Sequence, residues 1–510
     1  MPDDRSLASL LSQLDDARLV RGDHTVVVSA LEHDSRRVAP GALFVAVPGF
    51  ETDGHNYLTQ ATAAGASAVL VQADRLDRAP ASGPAVIAVP DTRVALSRAA
   101  AWFYGHPSRE LLVVGVTGTD GKTTTTHFLT SIFEAAGFRT ARLGTVDTHL
   151  PGEEGKLGGR MSTPEAPEVH RILRRAVEAG CEVAIVESTS HGLALHRLAD
   201  VEYDIAVLTN CTGDHLDFHE TFEAYREAKA LLFAALERPG TKDVQRAAVV
   251  NADDPSGNFM LAQTTAAHLR FGFEARDVEV TARNVHLRAD GSSFRLITPA
   301  GHAETQIALP ALFNVANALA AASAAVAAGV PPAVIAEGLA AMPGVPGRME
   351  RIVAGQPFEV IVDYAHTGDA VRKALEVLRA VAPGRLIIVI GAAGERDPGR
   401  RFGVGRAAAE GADFAIFTSE DPRREDPAAI VHEIGRHAES AGRVRGTDFL
   451  EIEDRREAIA IAFGRAHAGD IVLVCGKGHE QSMVFGTAEV PWDDRQVARE
   501  ELSRLGHGTG

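Results

Sequence analysis

The residues with the plainest chemistry stand at 118–123, Gly-Thr-Asp-Gly-Lys-Thr, between the apolar run Leu111–Val116 and a segment that opens with four threonines. Gly118 and Gly121 would let backbone N–H groups approach phosphate oxygens, Lys122 would reach the outer phosphates, and the Thr123 hydroxyl would face Mg²⁺. Thr119, Asp120 and Thr124 complete the loop and the first helical turn. Strand, glycine loop and helix N-terminus together predict a bound nucleoside triphosphate. A strict phosphate-binding pattern would have glycine at 116, where this chain has Val116, so the loop is a variant.

Other candidates lie downstream. Glu187, Asn210 and Asp253 each follow an apolar run, and in a doubly wound parallel sheet such strand ends would gather near the phosphates; as Asn and Asp, two of them also suit helix caps. Asp214, His215, Asp217 and His219 crowd four ligand-type side chains into six residues. An oxygen-rich group with imidazole suits Mg²⁺ or Mn²⁺ beside a nucleotide better than zinc. In YREAKALLF (225–233), Phe222, Tyr225, Lys229, Leu232 and Phe233 share one helical face, which puts Lys229 inside an apolar stripe. Desolvation would favour its neutral, reactive amine; a stem that snorkels its ammonium into water is the alternative, and spacing alone leaves both open. Asn314 and Asn317, one turn apart, could read the edge of a base or cap their helix.

The elements that must position these groups alternate along 510 residues, a length for about three domains. Residues 1–109 read as a small α/β unit with strands at 26–31, 43–47 and 68–72. Residues 110–345 read as a central domain with a mostly parallel sheet, and a hairpin is expected around Asp290-Gly291. From 346 to 510 a Rossmann-like α/β domain is expected, with polar or glycine-rich loops after its strands. The formal net charge of −17 argues against a nucleic-acid or anionic-membrane partner, and three scattered cysteines argue against a disulfide framework or a zinc ribbon. No apolar run is long enough for a signal peptide or a membrane span, so a cytoplasmic protein, expected to be a monomer, is the reading.

Ten stretches in order, GTDGKTTTT, ESTSHGL, TNCTGDHLDFHET, YREAKALLF, FNVANALAA, GRME, DYAHT, GERD, EDPR and GKGHE, resemble those of Mur ligases. The segment at 34–55 is similar to the N-terminal domain of the MurE type, the UDP-N-acetylmuramoyl-tripeptide synthetases, which add the third residue of the peptidoglycan stem peptide. The resemblance implies three domains, for the UDP-sugar, for ATP and for the amino acid. It implies that Ser35 and Arg37 contact the uridine nucleotide, and that Thr163, Pro164 and Ser190 contact the muramyl peptide. Lys122 and Thr123 would hold ATP phosphates and Mg²⁺, Glu187 and His215 would be metal ligands, and Asn314, Arg348 and Asp363 would hold the rest of ATP. Lys229 matches the lysine that the family carbamylates with CO₂, which favours the functional reading of that residue. Lys122, Lys229 and His215 would thus serve catalysis: amide formation through an acyl phosphate between UDP-N-acetylmuramoyl-L-alanyl-D-glutamate and a free diamino acid.

Which diamino acid is added turns on the pocket. The diaminopimelate-adding type has Asp-Asn-Pro-Arg, whereas this chain has Glu420-Asp421-Pro422-Arg423. Arg423 and Arg396 suit the distal carboxylate of meso-diaminopimelate. Asp421 would repel it and suits the ammonium of lysine or ornithine, while Gly476 and Glu480 serve either. The expectation leans to diaminopimelate. Gly368, where the family usually has proline, is a further departure. Two rivals are a folylpolyglutamate-synthetase-like amide ligase and a nucleotide-binding interaction subunit without ligase activity; the UDP-binding-like segment speaks against the first and the missing cysteine ribbon against the second.

Overall fold

The computed structural model describes residues 4–49, 52–152, 163–213, 216–288, 290–396 and 399–507, the side chains of Leu216 and Asp217 excepted. The chain divides into two compact units: 1–282 with 296–303 and 316–338, and 283–295 with 304–315 and 339–510.

The first unit holds two sheets. In the N-terminal sheet, strands β1 (Arg18–Arg21), β2 (Ala30–Glu32), β3 (Ala42–Val45), β4 (Ala68–Gln72) and β5 (Ala85–Val89) lie in the order β1-β5-β4-β3-β2. Only the edge strand β1 runs antiparallel to its neighbour. β3 and β5 are buried throughout and read as unbroken apolar runs, because a parallel strand has both faces covered. The expected strand over 26–31 is shorter than its apolar run: Val26 and Val28 exchange backbone hydrogen bonds with Leu7 and Arg5 and leave the sheet to Ala30–Glu32.

The second sheet takes β6 (Leu112–Thr117), β7 (Thr140–Leu143), β8 (Thr148–His149), β9 (Val183–Glu187), β10 (Ile205–Leu208), β11 (Ala247–Asn251) and β12 (Ala267–Phe271) in the order β12-β11-β10-β6-β9-β7-β8. All neighbours are parallel except β7 and β8. β6 lies centrally, flanked by β9 and β10, so the loop after it opens where the strand order reverses, the place where α/β sheets bind ligands. At the opposite end of β6, the buried Asp204 carboxylate accepts from Val113 N and pairs with Lys242, whose ammonium also donates to the carbonyls of Ser108 and Leu111. That lysine ties the connecting segment before β6 to the sheet.

β13 (Thr281–Arg288), β14 (Gly291–Thr298) and β15 (Gly301–Ile307) form a small sheet, with the turn at Asp290-Gly291 as expected. In the second unit, β16 (Glu350–Arg351), β17 (Glu359–Asp363), β18 (Leu386–Ile390), β19 (Phe414–Phe417), β20 (Phe449–Glu451) and β21 (Ile471–Cys475) are ordered β16-β17-β21-β18-β19-β20, parallel apart from β16. β21 sits between β17 and β18, which brings the loops after residues 363, 390 and 475 to one end of the sheet. A short hairpin, Ser482–Phe485 with Ala488–Pro491, follows. Gly368 opens the helix Gly368–Arg379 against Gly403, where a Cβ would meet backbone atoms at 2.6 Å, so the helix pair leaves no room for the family's proline. Among the described residues no helix is long and apolar enough to cross a membrane.

Candidate functional site

The helix Lys122–Ala135 begins at Gly121, whose φ of +82° puts the N-terminal N–H groups at the loop. Neither loop glycine has room for a side chain. A Cβ on Gly118 (φ +155°) would lie 1.9 Å from Thr209 Oγ1, and one on Gly121 would lie 2.1 Å from Asn317 Oδ1. Asn210 braces the same loop: its carbonyl accepts from Thr119 N at 2.9 Å and its Oδ1 accepts from Asp120 N at 2.9 Å. Lys122 Nζ folds back onto the carbonyls of Gly118 (3.0 Å) and Thr119 (2.8 Å), acceptors that stand where phosphate oxygens would compete for it. Thr124, buried, follows Thr123 in the first helical turn.

Thr123 Oγ1 donates to Glu187 Oε2 at 3.1 Å, and Glu187, at the end of β9, also accepts from Thr145 N (3.1 Å) and Thr145 Oγ1 (2.7 Å). A hydroxyl and a carboxylate side by side at the mouth of a phosphate loop fit Mg²⁺, which keeps several waters and takes few protein oxygens. Lys229 is 1% exposed, so its ammonium does not snorkel; Nζ donates to Gly118 O at 2.7 Å and lies 4.3 Å from the centre of the Tyr225 ring. Tyr225 Oη in turn shares a hydrogen bond with Thr119 Oγ1 at 2.9 Å. One buried lysine and one tyrosine thus tie the helix Phe222–Ala234 to the phosphate loop.

Asp214 and His215, and the side chain of Asp217, lie outside the described residues. His219 is not presented to the loop as an open ligand: it is buried among the rings of Phe218, Tyr225 and His191 at 4.6, 5.3 and 5.4 Å. Asp253 also departs from expectation. Its carboxylate accepts from the N–H groups of Phe273, Glu274 and Ala275, so it organises the loop after β12 and does not face the phosphate loop. Thr163 Oγ1 donates to Glu187 O at 3.1 Å and lies 2.8 Å from Thr189 Oγ1, the cap of the short helix that starts at Ser190. Thr163, Pro164 and Ser190 therefore sit beside the end of β9. In the N-terminal sheet Ser35 is buried with Oγ on Gln60 Oε1 at 3.0 Å, and Arg37 is exposed, 3.5 Å from Glu32.

Asn314, Arg348 and Asp363 belong to the second unit. Asn314 is buried and donates to Pro310 O at 2.7 Å. Asp363 ends β17 and accepts from Met349 N and Ala365 N; burial pushes its carboxyl above the usual range against the pull of Arg348, whose guanidinium stacks 4.6 Å over Tyr364.

The loops after β19 and β21 make a second constellation. Asp421 Oδ1 accepts from Lys477 Nζ at 2.8 Å and from Val484 N at 3.0 Å, and Lys477, 2% exposed, also pairs with Glu480 at 2.5 Å. Glu420 is buried with Oε2 lacking a hydrogen-bond partner, and burial raises its carboxyl to about 7, offset in part by Arg455 and Lys477 and reinforced by Asp421 and Glu480. Gly476 has φ of +111°, and a Cβ there would come 2.8 Å from that same oxygen. Behind the loops Arg455 donates to Ser419 O and Cys475 O and pairs with buried Asp494, joining both strand ends. Arg423 (φ +54°) bridges its backbone to Val484, while its buried Nε has no partner and no carboxylate pairs with the side chain among the described residues. Arg396 is exposed and likewise lacks a carboxylate there. Lys477 and Arg455 were not singled out by sequence, although Lys477 lies within the GKGHE stretch that follows a buried strand.

Comparison with known proteins bears on the whole chain. Residues 27–104 match the description "Mur ligase family, catalytic domain", 116–325 "Mur ligase middle domain" and 347–478 "Mur ligase, glutamate ligase domain". A UDP-N-acetylmuramyl-tripeptide synthetase of Roseiflexus sp. (strain RS-1) is 48% identical over 491 residues, covering 94% of this chain and 96% of that one. The chain belongs to the Mur ligase family. It is thus an enzyme, a ligase of an ATP-dependent, Mg²⁺-requiring family with the three Mur ligase domains. A second Mur ligase, the UDP-N-acetylmuramoyl-L-alanyl-D-glutamate–2,6-diaminopimelate ligase of Bacillus licheniformis, is 39% identical over 500 residues, 98% of this chain and 99% of its own. A solved structure of a ligase with that same name superposes with a TM-score of 0.69 at 28% identity, covering 98% of this chain and 99% of that one.

Proposed function

We propose that this chain joins meso-diaminopimelate to the D-glutamate carboxylate of UDP-N-acetylmuramoyl-L-alanyl-D-glutamate at the expense of ATP, adding the third residue of the peptidoglycan stem peptide. The observation that carries the choice of amino acid is Arg423, an arginine with no carboxylate partner among the described residues, two positions from Asp421 in the acidic group of Glu420, Asp421 and Glu480. Diaminopimelate offers that pair of surroundings a carboxylate and an ammonium on one carbon, and a guanidinium recognises carboxylates in two-pronged fashion. The names of several relatives agree with this substrate. Asp421 in place of asparagine favours a second reading, the addition of lysine or ornithine.

In the proposed reaction the substrate carboxylate attacks the γ-phosphorus of ATP and ADP leaves. The amine then attacks the acyl carbon, loses a proton, and phosphate departs. Lys122 and the loop that carries it, Gly118, Thr119, Asp120 and Gly121, with Thr123 and Thr124 at the helix N-terminus, hold the phosphates, and Lys122 meets the charge spread over the equatorial oxygens. Thr123, Glu187 and His215 hold Mg²⁺, which supplies further charge neutralisation. Lys229, once its ammonium has given up a proton, would add CO₂ as the neutral amine and lose a second proton, giving a carboxylate-like carbamate that would belong with the groups that hold Mg²⁺. Asn314, Arg348 and Asp363 hold the remainder of ATP; Ser35 and Arg37 contact the uridine nucleotide; Thr163, Pro164 and Ser190 contact the muramyl peptide; and Arg396, Glu420, Asp421, Arg423, Gly476 and Glu480 form the amino-acid pocket. With this reading go domain limits at 1–109, 110–345 and 346–510 and a cytoplasmic monomer with no nucleic-acid or membrane partner, as expected from the sequence.

The test is a ligation assay with the UDP-linked dipeptide, ATP and diaminopimelate, lysine or ornithine in parallel. Diaminopimelate should have the highest kcat/KM. A tenfold advantage for lysine or ornithine, about 1.4 kcal/mol in transition-state binding, would overturn the choice of substrate. ATP hydrolysis without joining of any amino acid would return the chain to a binding-subunit role.

A further inference from the structure

Asp421 stands where a neutral asparagine would leave room for a carboxylate, yet its charge does not face the pocket alone. Lys477 Nζ lies 2.8 Å from Asp421 Oδ1 and 2.5 Å from a Glu480 carboxylate oxygen, with its side chain 2% exposed. A buried ammonium in contact with two carboxylates cancels one of them and aims both, since removing it from water demands paired partners. Val484 N fixes the orientation of Asp421 from the other strand, and Arg455 holds the backbone on both sides, at Ser419 and Cys475. The lysine is therefore built in, and with it Asp421 and Glu480 present about one net negative charge where without it they would present two.

We propose that Lys477 is the specificity-determining residue of the amino-acid pocket: by pairing with Asp421 it masks the charge that would otherwise turn away a distal carboxylate. Lys477 acts through Asp421 and Glu480 and is a positioning residue. The inference rests on the ligase reading above, though not on which diamino acid the natural enzyme prefers. Loss of a positive charge next to Asp421 and Glu480 must penalise an amino acid that carries a distal carboxylate more than one that carries only an ammonium. Asp421→Asn, which removes the uncovered charge, must reverse that penalty.

The experiment measures kcat and KM for diaminopimelate, lysine and ornithine with the full-length chain, Lys477→Met, Lys477→Arg and the double variant Lys477→Met/Asp421→Asn. In Lys477→Met the ratio of kcat/KM for diaminopimelate over lysine should fall at least tenfold, mostly through KM for diaminopimelate. The double variant and Lys477→Arg should bring the ratio back to within about threefold of the starting protein. A ratio in Lys477→Met within twofold of the unaltered chain overturns the inference. So does a loss of activity in Lys477→Met that neither the arginine nor the second substitution restores, because the lysine would then serve only folding. An unaltered chain that joins none of the three amino acids overturns the ligase reading, which distinguishes that failure from this one.

Discussion

Glu420 gives the sharpest test of the electrostatics in the second unit. Its carboxyl is buried at the end of β19, one oxygen has no hydrogen-bond partner, and burial lifts it from the ordinary 4.5 to about 7. The groups that face it are Arg455 and Lys477, which pull it down, and Asp421 and Glu480, which push it up. A carboxyl raised in the folded state binds its proton more tightly there than in the unfolded chain, so stability falls as pH rises from the unfolded value through the folded one and is level above it. At about 1.4 kcal/mol for each pH unit between the two values, the cost reaches about 3 kcal/mol at pH 8 and is only about 1 kcal/mol at pH 5. Glu420→Gln keeps the shape and removes the ionisation. The difference in unfolding free energy, variant minus parent, should therefore grow by about 2 kcal/mol between pH 5 and pH 8. Urea unfolding followed by Trp492 fluorescence, with Trp102 replaced by phenylalanine in both proteins, reads this locally, because the Trp492 indole donates to Asp494, the partner of Arg455. A difference that stays flat from pH 5 to pH 8 would refute the reasoning, since it would mean that water or a counter-charge reaches the Glu420 carboxylate.

Three further outcomes are expected. Gly118→Ala drives a Cβ to within 1.9 Å of Thr209 Oγ1, so ADP affinity measured by calorimetry should drop at least tenfold; unchanged affinity would show that the loop has slack it does not display. Lys229→Ala should abolish ligation and recover part of it with added formate or acetate, and full activity without rescue would remove the carbamate from the mechanism. Lys242→Met leaves the Asp204 carboxylate buried without its cation, which should destabilise the first unit by about 3–5 kcal/mol in thermal melts. An unchanged midpoint would mean that the carboxylate relaxes to solvent.

The parts of this protein that could be read from sequence are those in which position along the chain and position in space coincide. β9 was legible to the residue because four apolar residues lead into Glu187, and a parallel strand with both faces covered writes its burial directly into composition. The phosphate loop was legible because strand, glycines and helix start are consecutive. The helical stripe that holds Lys229 was equally local, although spacing could not tell a buried ammonium from a snorkelling one; the contact with Gly118 O, 111 residues away, decides it. Asp253 was misplaced for the same reason. A strand-end aspartate reads alike whether it faces a ligand or caps a loop, and its three N–H partners lie about twenty residues downstream.

Charge in a pocket is less legible still, because it is a sum over residues that the chain brings together from afar. Taken singly, Asp421 argues for an ammonium ligand and against a carboxylate. Its partner Lys477 is 56 residues away and its backbone donor Val484 is 63 away, so no window along the sequence contains the pair. The lysine weakens the argument: it offsets one of the two carboxylates it touches, Asp421 and Glu480, while the guanidinium of Arg423 has no carboxylate partner among the described residues. A substitution from asparagine to aspartate is thus conservative or decisive depending on one lysine, which is why the identity of the added amino acid has to be argued from Lys477 and Arg423 together, and why altering Lys477 probes it more directly than altering Asp421 alone.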